Sequence, residues 1–386
     1  MPKTIVTELF NKFFQSEKSG GIILIFCTAL SLILTNTVGD TYIDIWNVSI
    51  GSHTLVHWIN DGLMTIFFLL IGLELEREIY IGELSDLRKA LLPVFAALGG
   101  MVFPAGMFLL FNWKGEGSSG AGIPMATDIA FALGVLSMLG KRVPASLKIF
   151  LTALAVIDDL GAIIVIAIFY TSTLDMISLG IAMGIFATLL LLNRLRVHHL
   201  LPYLIGGTLM WYFMLSSGIH ATITGVLLAF AIPFGTGDEK SPSYGLQEFL
   251  HSPVAYIILP VFALANTCIL IDQDAIATLG GAVSLGIMAG LFIGKPSGIL
   301  VFSYLTTVFR ISALPSDLKW KHITGAGILA GIGFTMSIFI TLLAFDDQTM
   351  IDASKLSVMA ASLLAGITGF IWLKITLPKN FLEEAV

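Results

Sequence analysis

The sequence predicts an all-α polytopic membrane protein, one membrane domain spanning residues 1–386 with about twelve transmembrane helices. Three observations carry this. Of the residues, 56% are hydrophobic and only 12% charged, for a mean hydropathy of +0.92, whereas a soluble domain carries about 25% charged residues. Apolar runs near the ~20 residues needed for one span recur from end to end, so no soluble domain of roughly 100 residues can be cut out. The basic residues also segregate. Lys3, Lys12, Lys18, Arg77, Arg88, Lys89, Lys141, Arg142, Lys148, Arg194, Arg196, Lys240, Arg310, Lys319, Lys321, Lys374 and Lys379 fall on one side of the runs, 17 of 20. The other side holds Lys114 and Lys355, and Lys295 falls inside a run. Cytoplasmic ends of spans accumulate Lys and Arg, so both termini are read as cytoplasmic. The net charge of −6 says little about partners, and no nucleic acid is expected.

The first run, from Gly20 to about Val38, follows three lysines as a signal peptide would. It exceeds the ~7–15 residues of a signal h-region and lacks a small-x-small cleavage site, so it reads as a span. Cys27 in this run and Cys268 in another are packing residues rather than a disulfide or metal pair. Beyond it, the outside connection holds Tyr42-Ile43-Asp44-Ile45-Trp46-Asn47-Val48-Ser49-Ile50, which alternates like a strand before Gly51-Ser52. A β-hairpin over about 41–56 is predicted there, either closing the loop or presenting an edge to another subunit.

The second and third spans are 58–80 and 90–111. The fourth, 122–139, begins Gly122-Ile123-Pro124-Met125-Ala126-Thr127-Asp128 and is a poor helix by local chemistry. The fifth to tenth are 146–170, 175–192, 201–215, 218–233, 249–270 and 281–307. The eleventh, 323–345, carries Gly325, Gly327, Gly331 and Gly333 around Thr335, and the twelfth is 355–376. Weak segments in corresponding places of two halves point to discontinuous helices at a transport site. Close packing through small residues is the alternative for the eleventh.

Four charges lie where lipid should forbid them. Asp128, Asp158, Asp159 and Lys295 each cost ~2.5–3.5 kcal/mol at a helix centre, roughly 10 kcal/mol together, so they must be compensated and used. Asp158 and Asp159 have apolar sequence on both sides. Neighbours on a helix differ by ~100°, so the two carboxylates share a locality but face different partners. Two like charges this close cannot both ionise cheaply, which makes the pair titratable. Carboxylate oxygens also suit a hard cation such as Na⁺. Competition between metal ion and proton at one site is the minimum chemistry of an antiporter. A purely structural ion pair with Lys295 leaves two aspartates unneutralised.

Lys295, in Gly294-Lys295-Pro296, is the one basic residue read inside a span. It pairs with Asp158 or faces the negative C-terminal ends of broken helices. Asp128 suits the positive N-terminal ends, and Thr127 offers a hydroxyl or backbone oxygen to an ion unless it bonds its own backbone. At the end of the second span, Glu74, Arg77 and Glu78 lie within one turn, either a cation-attracting, pH-responsive cluster or a solvated helix end. His220 and His251 titrate near neutrality and are otherwise simple hydrogen-bonding residues.

These residues resemble one family, the bacterial NhaA-type Na⁺/H⁺ antiporters. The matching stretches are Gly72 to Glu78, Met125 to Phe131, Ala155 to Gly161, Gly218 to Gly225, Leu259 to Asn266, Gly294-Lys295-Pro296 and Gly331 to Ser337, spread in order over nearly the whole chain. The resemblance implies an inverted-repeat transporter fold. Spans three to five (about 90–170) and ten to twelve (about 281–376) are then related, with the broken fourth and eleventh helices crossing near the aspartates. It implies electrogenic exchange of Na⁺ or Li⁺ outward for protons inward, two per ion, in the bacterial inner membrane and without a cofactor. Asp159 matches the principal ion-binding carboxylate, and Asp158 its neighbour, which binds the ion too or is released from Lys295 when sodium arrives. The two protons then ride on both aspartates, or on one aspartate and Lys295. Thr127 and Asp128 match the position beside the crossing, and Glu74, Arg77 and Glu78 part of the pH-sensing cluster. Glu248 and His251 stand where the family often carries a denser charged group, which implies a different pH set-point. The hairpin matches the family's homodimer contact.

Two other functions are weighed. An intramembrane aspartyl protease needs two aspartates converging on one water from separate helices, whereas adjacent residues diverge, and no Gly-x-Gly-Asp occurs. A Na⁺-coupled symporter of a small organic solute needs hydrogen-bonding side chains near the aspartates, and the spans supply few.

Overall fold

Each of the twelve apolar stretches contains helix in the computed structural model, which describes residues 2–170, 174–238, 240–271 and 273–378. In chain order the helices are α1 (Pro2–Val38), α2 (Asp40–Asn47), α3 (Leu55–Trp58), α4 (Met64–Tyr80), α5 (Leu87–Asn112), α6 (Ile129–Ser137), α7 (Ala145–Phe169), α8 (Met176–Arg194), α9 (Leu200–Ser216) and α10 (Ile223–Ala231). They continue as α11 (Pro242–Pro253), α12 (Leu259–Asn266), α13 (Gln273–Thr278), α14 (Ala282–Ala289), α15 (Lys295–Val308), α16 (Trp320–Ala330), α17 (Phe334–Ala344) and α18 (Gln348–Thr376). Strands β1 (Ser49–Ile50) and β2 (His53–Thr54) form an antiparallel pair with Ser49 opposite Thr54. Among the described residues nine helices are long and apolar enough to cross a membrane, ten with the bent pair α16–α17. The side chains of Lys3, Lys12, Lys18, Arg88 and Lys89, and all of Lys379, lie outside the described residues.

The chain divides into two units. The first comprises residues 1–39, 86–162 and 267–386, and the second 40–85 and 163–266. In the first unit α5 lies directly on α15, because Gly99 and Gly298 meet backbone to backbone. A Cβ on Gly298 would fall 2.0 Å from the Gly99 carbonyl oxygen. Gly298→Ala therefore forces the two helices apart, at a cost of about 1–3 kcal/mol. The expected result is a lower thermal unfolding midpoint in detergent, and an unchanged midpoint would contradict this contact.

In the second unit α4 packs on α10, and α8 on α9. Asp175 caps α8, accepting from Ile177 N–H at 3.1 Å, Ser178 N–H at 3.3 Å and Ser178 Oγ at 2.6 Å. These donors, the Ser178 hydroxyl foremost, hold its carboxyl below the usual carboxylate range.

Three of the long spans contain a wide π-helical turn: Ile59–Leu63, Val254–Ile258 and Gly290–Gly294. The last has a local cause. Pro296 lacks an N–H and its ring crowds the carbonyl four residues back, and the widened turn immediately before it lets Lys295 N–H bond Gly290 O instead.

Two expectations are corrected. The predicted hairpin is present but short, since residues 40–47 are helical. Gly39 takes a positive φ of +68° and ends α1, and Asp40 then opens α2, favourable beside the positive end of a helix. Tyr42 is buried in that helix, and its hydroxyl donates to Leu264 O at 3.2 Å. The alternation of apolar residues was equally compatible with a short amphipathic helix. The sequence places Lys355 with Lys114 on the other side, at the start of the last span. It is instead buried two turns inside α18, where Asp352 and Cys268 act on it, so Lys295 is not the one lysine enclosed by the spans.

Candidate functional site

The site lies in the first unit, where two spans lose their helical path. The fourth opens as a 3-10 segment, Glu116–Met125, containing Pro124, then runs extended at Ala126 (φ −79°, ψ 153°) before α6 begins. The eleventh breaks at Gly331–Gly333 between α16 and α17, with a bend of 46°. Breaking a span frees backbone donors and acceptors that cost several kcal/mol each if left unmet in hydrocarbon. The two breaks satisfy one another. Asp128 N–H donates to Ile332 O at 2.7 Å, Thr127 Oγ1 to Ala330 O at 3.0 Å, and Ser337 Oγ to Ile123 O at 2.6 Å.

Asp128 serves the positive ends. Its Oδ1 accepts from Phe131 N–H at 2.9 Å in the first turn of α6. Its Oδ2 accepts from Thr335 N–H at 3.0 Å and Thr335 Oγ1 at 2.6 Å in the first turn of α17. One carboxylate thus caps two helices whose N-termini point at it.

Lys295 serves a negative end. Its Nζ donates to Met125 O at the close of the 3-10 segment and lies 2.8 Å from Asp158 Oδ2, both side chains being 0% exposed. Thr127 Oγ1 also donates to Asp158 Oδ2, at 2.8 Å. A hydroxyl has one proton, so Thr127 shares it between Asp158 and Ala330. The other carboxylate oxygen of Asp158, Oδ1, makes no hydrogen bond, and Gly100 on α5 leaves room there: a Cβ at that position would sit 3.8 Å from Oδ1. Asp159 is also fully buried and acts electrostatically on Lys295 together with Asp158.

The sequence-predicted residues Thr127, Asp128, Asp158, Asp159 and Lys295 are therefore gathered at one crossing. The arrangement holds three buried carboxylates against one ammonium; Asp128 is taken up by the Phe131 and Thr335 donors, which leaves Asp158 and Asp159 for a small cation or for protons. Thr335 escaped notice as a functional residue, as did the carbonyls of Met125 and Ala330. The signal for Thr335 was its place directly after the Gly-Ile-Gly-Phe break.

The second unit gathers the proposed pH cluster. Glu74 is buried on α4, with His251 Nδ1 3.9 Å from its Oε1. Arg77 Nη1 donates to Gln247 Oε1 at 3.5 Å and its guanidinium lies 4.9 Å from the centre of the Tyr244 ring. Glu78 is half-buried on α4, and Glu248 is exposed on α11. His220 Nε2 donates to Tyr170 O at 2.8 Å, the hydrogen-bonding alternative.

Residues 11–373 match the family model described as Na⁺/H⁺ antiporter 1. The chain is 59% identical over 380 residues to the Na(+)/H(+) antiporter NhaA of Flavobacterium psychrophilum, covering 98% of this chain and 99% of that protein. It is 57% identical over 376 residues to the Na(+)/H(+) antiporter NhaA of Dechloromonas aromatica, covering 96% and 97%. Among solved structures it is similar in fold to the sodium proton antiporter MjNhaP1 of Methanocaldococcus jannaschii, with a TM-score of 0.51 and 16% identity over 96% of this chain and 99% of that one.

Proposed function

This chain belongs to the Na⁺/H⁺ antiporter 1 family, and we propose that it extrudes Na⁺ or Li⁺ electrogenically in exchange for external protons at Asp158 and Asp159. It is a multi-pass membrane transporter and not an enzyme. The observation that carries the site assignment is the buried Asp158–Lys295 pair beside a second buried carboxylate, at the crossing of two broken spans. A cation entering there competes with Lys295 for Asp158 and with protons for both carboxylates. Exchange of one Na⁺ outward for two protons inward moves one net positive charge inward, which makes the cycle electrogenic. The protons ride on both aspartates, or on one aspartate and Lys295. Thr127 adds a hydroxyl beside the ion, and Asp128 keeps the crossing together.

The finer architecture belongs to the same reading. Residues of about 90–170 and 281–376 form inverted repeats within one transporter domain, a relation supported by one interrupted span in each. The protein sits in the bacterial inner membrane with both termini cytoplasmic, following its basic residues. Glu74, Arg77, Glu78, Glu248 and His251 set its response to pH. The hairpin, whose exposed Val48 and Ile50 leave an apolar edge, joins two copies as a homodimer.

The test is dequenching of a pH-sensitive dye in everted vesicles on adding Na⁺, Li⁺ or K⁺ over a range of pH. Dequenching by Na⁺ and Li⁺ alone is expected, with a dependence on membrane potential. A response only when an organic solute is present would favour the symporter.

A further inference from the structure

A histidine closes the first turn of α16. The N-cap position, Lys319, is extended at φ −121° and ψ 157°. Its N–H donates to His322 Nδ1 at 3.2 Å, while His322 N–H donates back to Lys319 O at 2.8 Å. The imidazole is 3% exposed. Its Nε2 has no hydrogen bond of ordinary length and faces the Thr376 backbone on α18. The first turn is also held from α18 by Trp372 Nε1, which donates to Lys321 O at 2.8 Å.

A side chain three residues past the N-cap that accepts the N-cap N–H is half of a capping box, a position usually filled by Glu or Gln. Histidine fills it only in one protonation state. The backbone donor fixes the tautomer, with Nδ1 bare and the proton on Nε2. A second proton on Nδ1 would turn N–H against N–H and lose the bond. It would also place a cation at the positive end of a helix, under the repulsion of Lys321 and Lys319, with Asp317 the opposing carboxylate. Asp317 is itself engaged, accepting from Ser146 Oγ at 2.5 Å.

The other end of α16 reaches the transport site. The helix runs 11 residues from this turn to Ala330, whose carbonyl accepts the Thr127 hydroxyl that also bonds Asp158. We propose that His322 is a positioning residue for transport: neutral, it caps α16 and seats the Ala330 end at the crossing, and protonated, it releases the cap and slows exchange in acid. This inference rests on the antiport reading of the crossing. It adds a proton-sensitive group in the first unit, apart from the Glu74 cluster of the second.

The experiment compares the native protein with His322→Gln and His322→Ala in the vesicle dye assay over a pH series. Alongside it, hydrogen exchange of the peptide covering 319–331 is measured in the full-length protein and corrected for intrinsic exchange. Glutamine offers an oxygen that does not titrate, so its acid limb should move by ~0.5 pH unit or more towards acid, while its rate at alkaline pH stays within about twofold of native. Alanine loses the cap at every pH, and first-turn amides should exchange about fivefold faster. Native first-turn amides should lose protection as the pH is lowered from about 8 to about 5, through and below the ordinary imidazole midpoint, and the Gln variant should not. Superposed acid limbs for native and Gln, or native protection that is independent of pH, would overturn the proposal. If native vesicles show no cation response, the antiport reading fails, and the exchange measurement alone still decides whether His322 is a proton-sensitive cap.

Discussion

Asp159→Asn abolishes Na⁺-driven proton movement while leaving the protein folded. Asparagine keeps the size of the side chain and removes its charge, and in a fully buried site charge is what a cation binds. Removing one partner of a buried charge interaction costs about 3–5 kcal/mol. At about 1.4 kcal/mol per tenfold, that is a loss of at least ~100-fold in affinity for the ion. Asp158→Asn is expected to abolish exchange similarly, but with a second consequence. It strips the carboxylate from Lys295, leaving the ammonium enclosed with the Met125 carbonyl, so this protein should unfold more readily than the Asp159 variant. The pair of variants separates transport from architecture: both silent in the vesicle assay, one near native in thermal stability and one below it. Retained Na⁺-driven dequenching with Asp159→Asn would sink the site assignment.

Much of this was legible because lipid is an unforgiving solvent. A charge in the middle of Ala153–Ala167 must be compensated in hydrocarbon, so Asp158 and Asp159 mark a site in the sequence itself, and Lys295 marks its counter-ion. The same rule exposed the fourth and eleventh spans, where Gly, Pro and Asp interrupt helices that cannot leave backbone groups unmet. What stayed hidden was pairing. Nothing in the sequence says that the hydroxyl of Thr335 belongs to Asp128, or that Thr127 divides one proton between Asp158 and Ala330, because short polar side chains leave no periodic trace. The residues at 42–47 misled for a related reason: six residues fit a period of two and a period of 3.6 almost equally, and the decision lay with Gly39 before them. His322 was passed over because its environment, a capping box at the start of a broken span, is visible only in three dimensions.

Asp128→Ala should damage the protein more than either transport substitution. The carboxylate accepts three hydrogen bonds, from Phe131 N–H, Thr335 N–H and Thr335 Oγ1, and is enclosed with them. Alanine leaves three buried donors unmet, at about 1–3 kcal/mol each. The Thr335 hydroxyl can turn to another acceptor, so a net loss of roughly 3–6 kcal/mol is the reasonable sum of cap and desolvation. The positive ends of α6 and α17 would also face one another without the negative charge between them. Asp128→Asn offers an intermediate test. Its oxygen can keep the bond from Phe131 and the Thr335 hydroxyl can turn to accept from its NH₂, but the Thr335 N–H is left facing a donor, so the α17 side of the crossing weakens while the α6 side holds. The expected order of unfolding midpoints in detergent is native, then Asn, then Ala. Because the break in each span is satisfied by the other, the loss should spread: Ser337 and Ile123, joined at 2.6 Å, ought to separate as well, which cysteine cross-linking between those two positions would register. An Ala variant as stable as native would mean that the crossing is held by packing, and that Asp128 is kept for the ion instead.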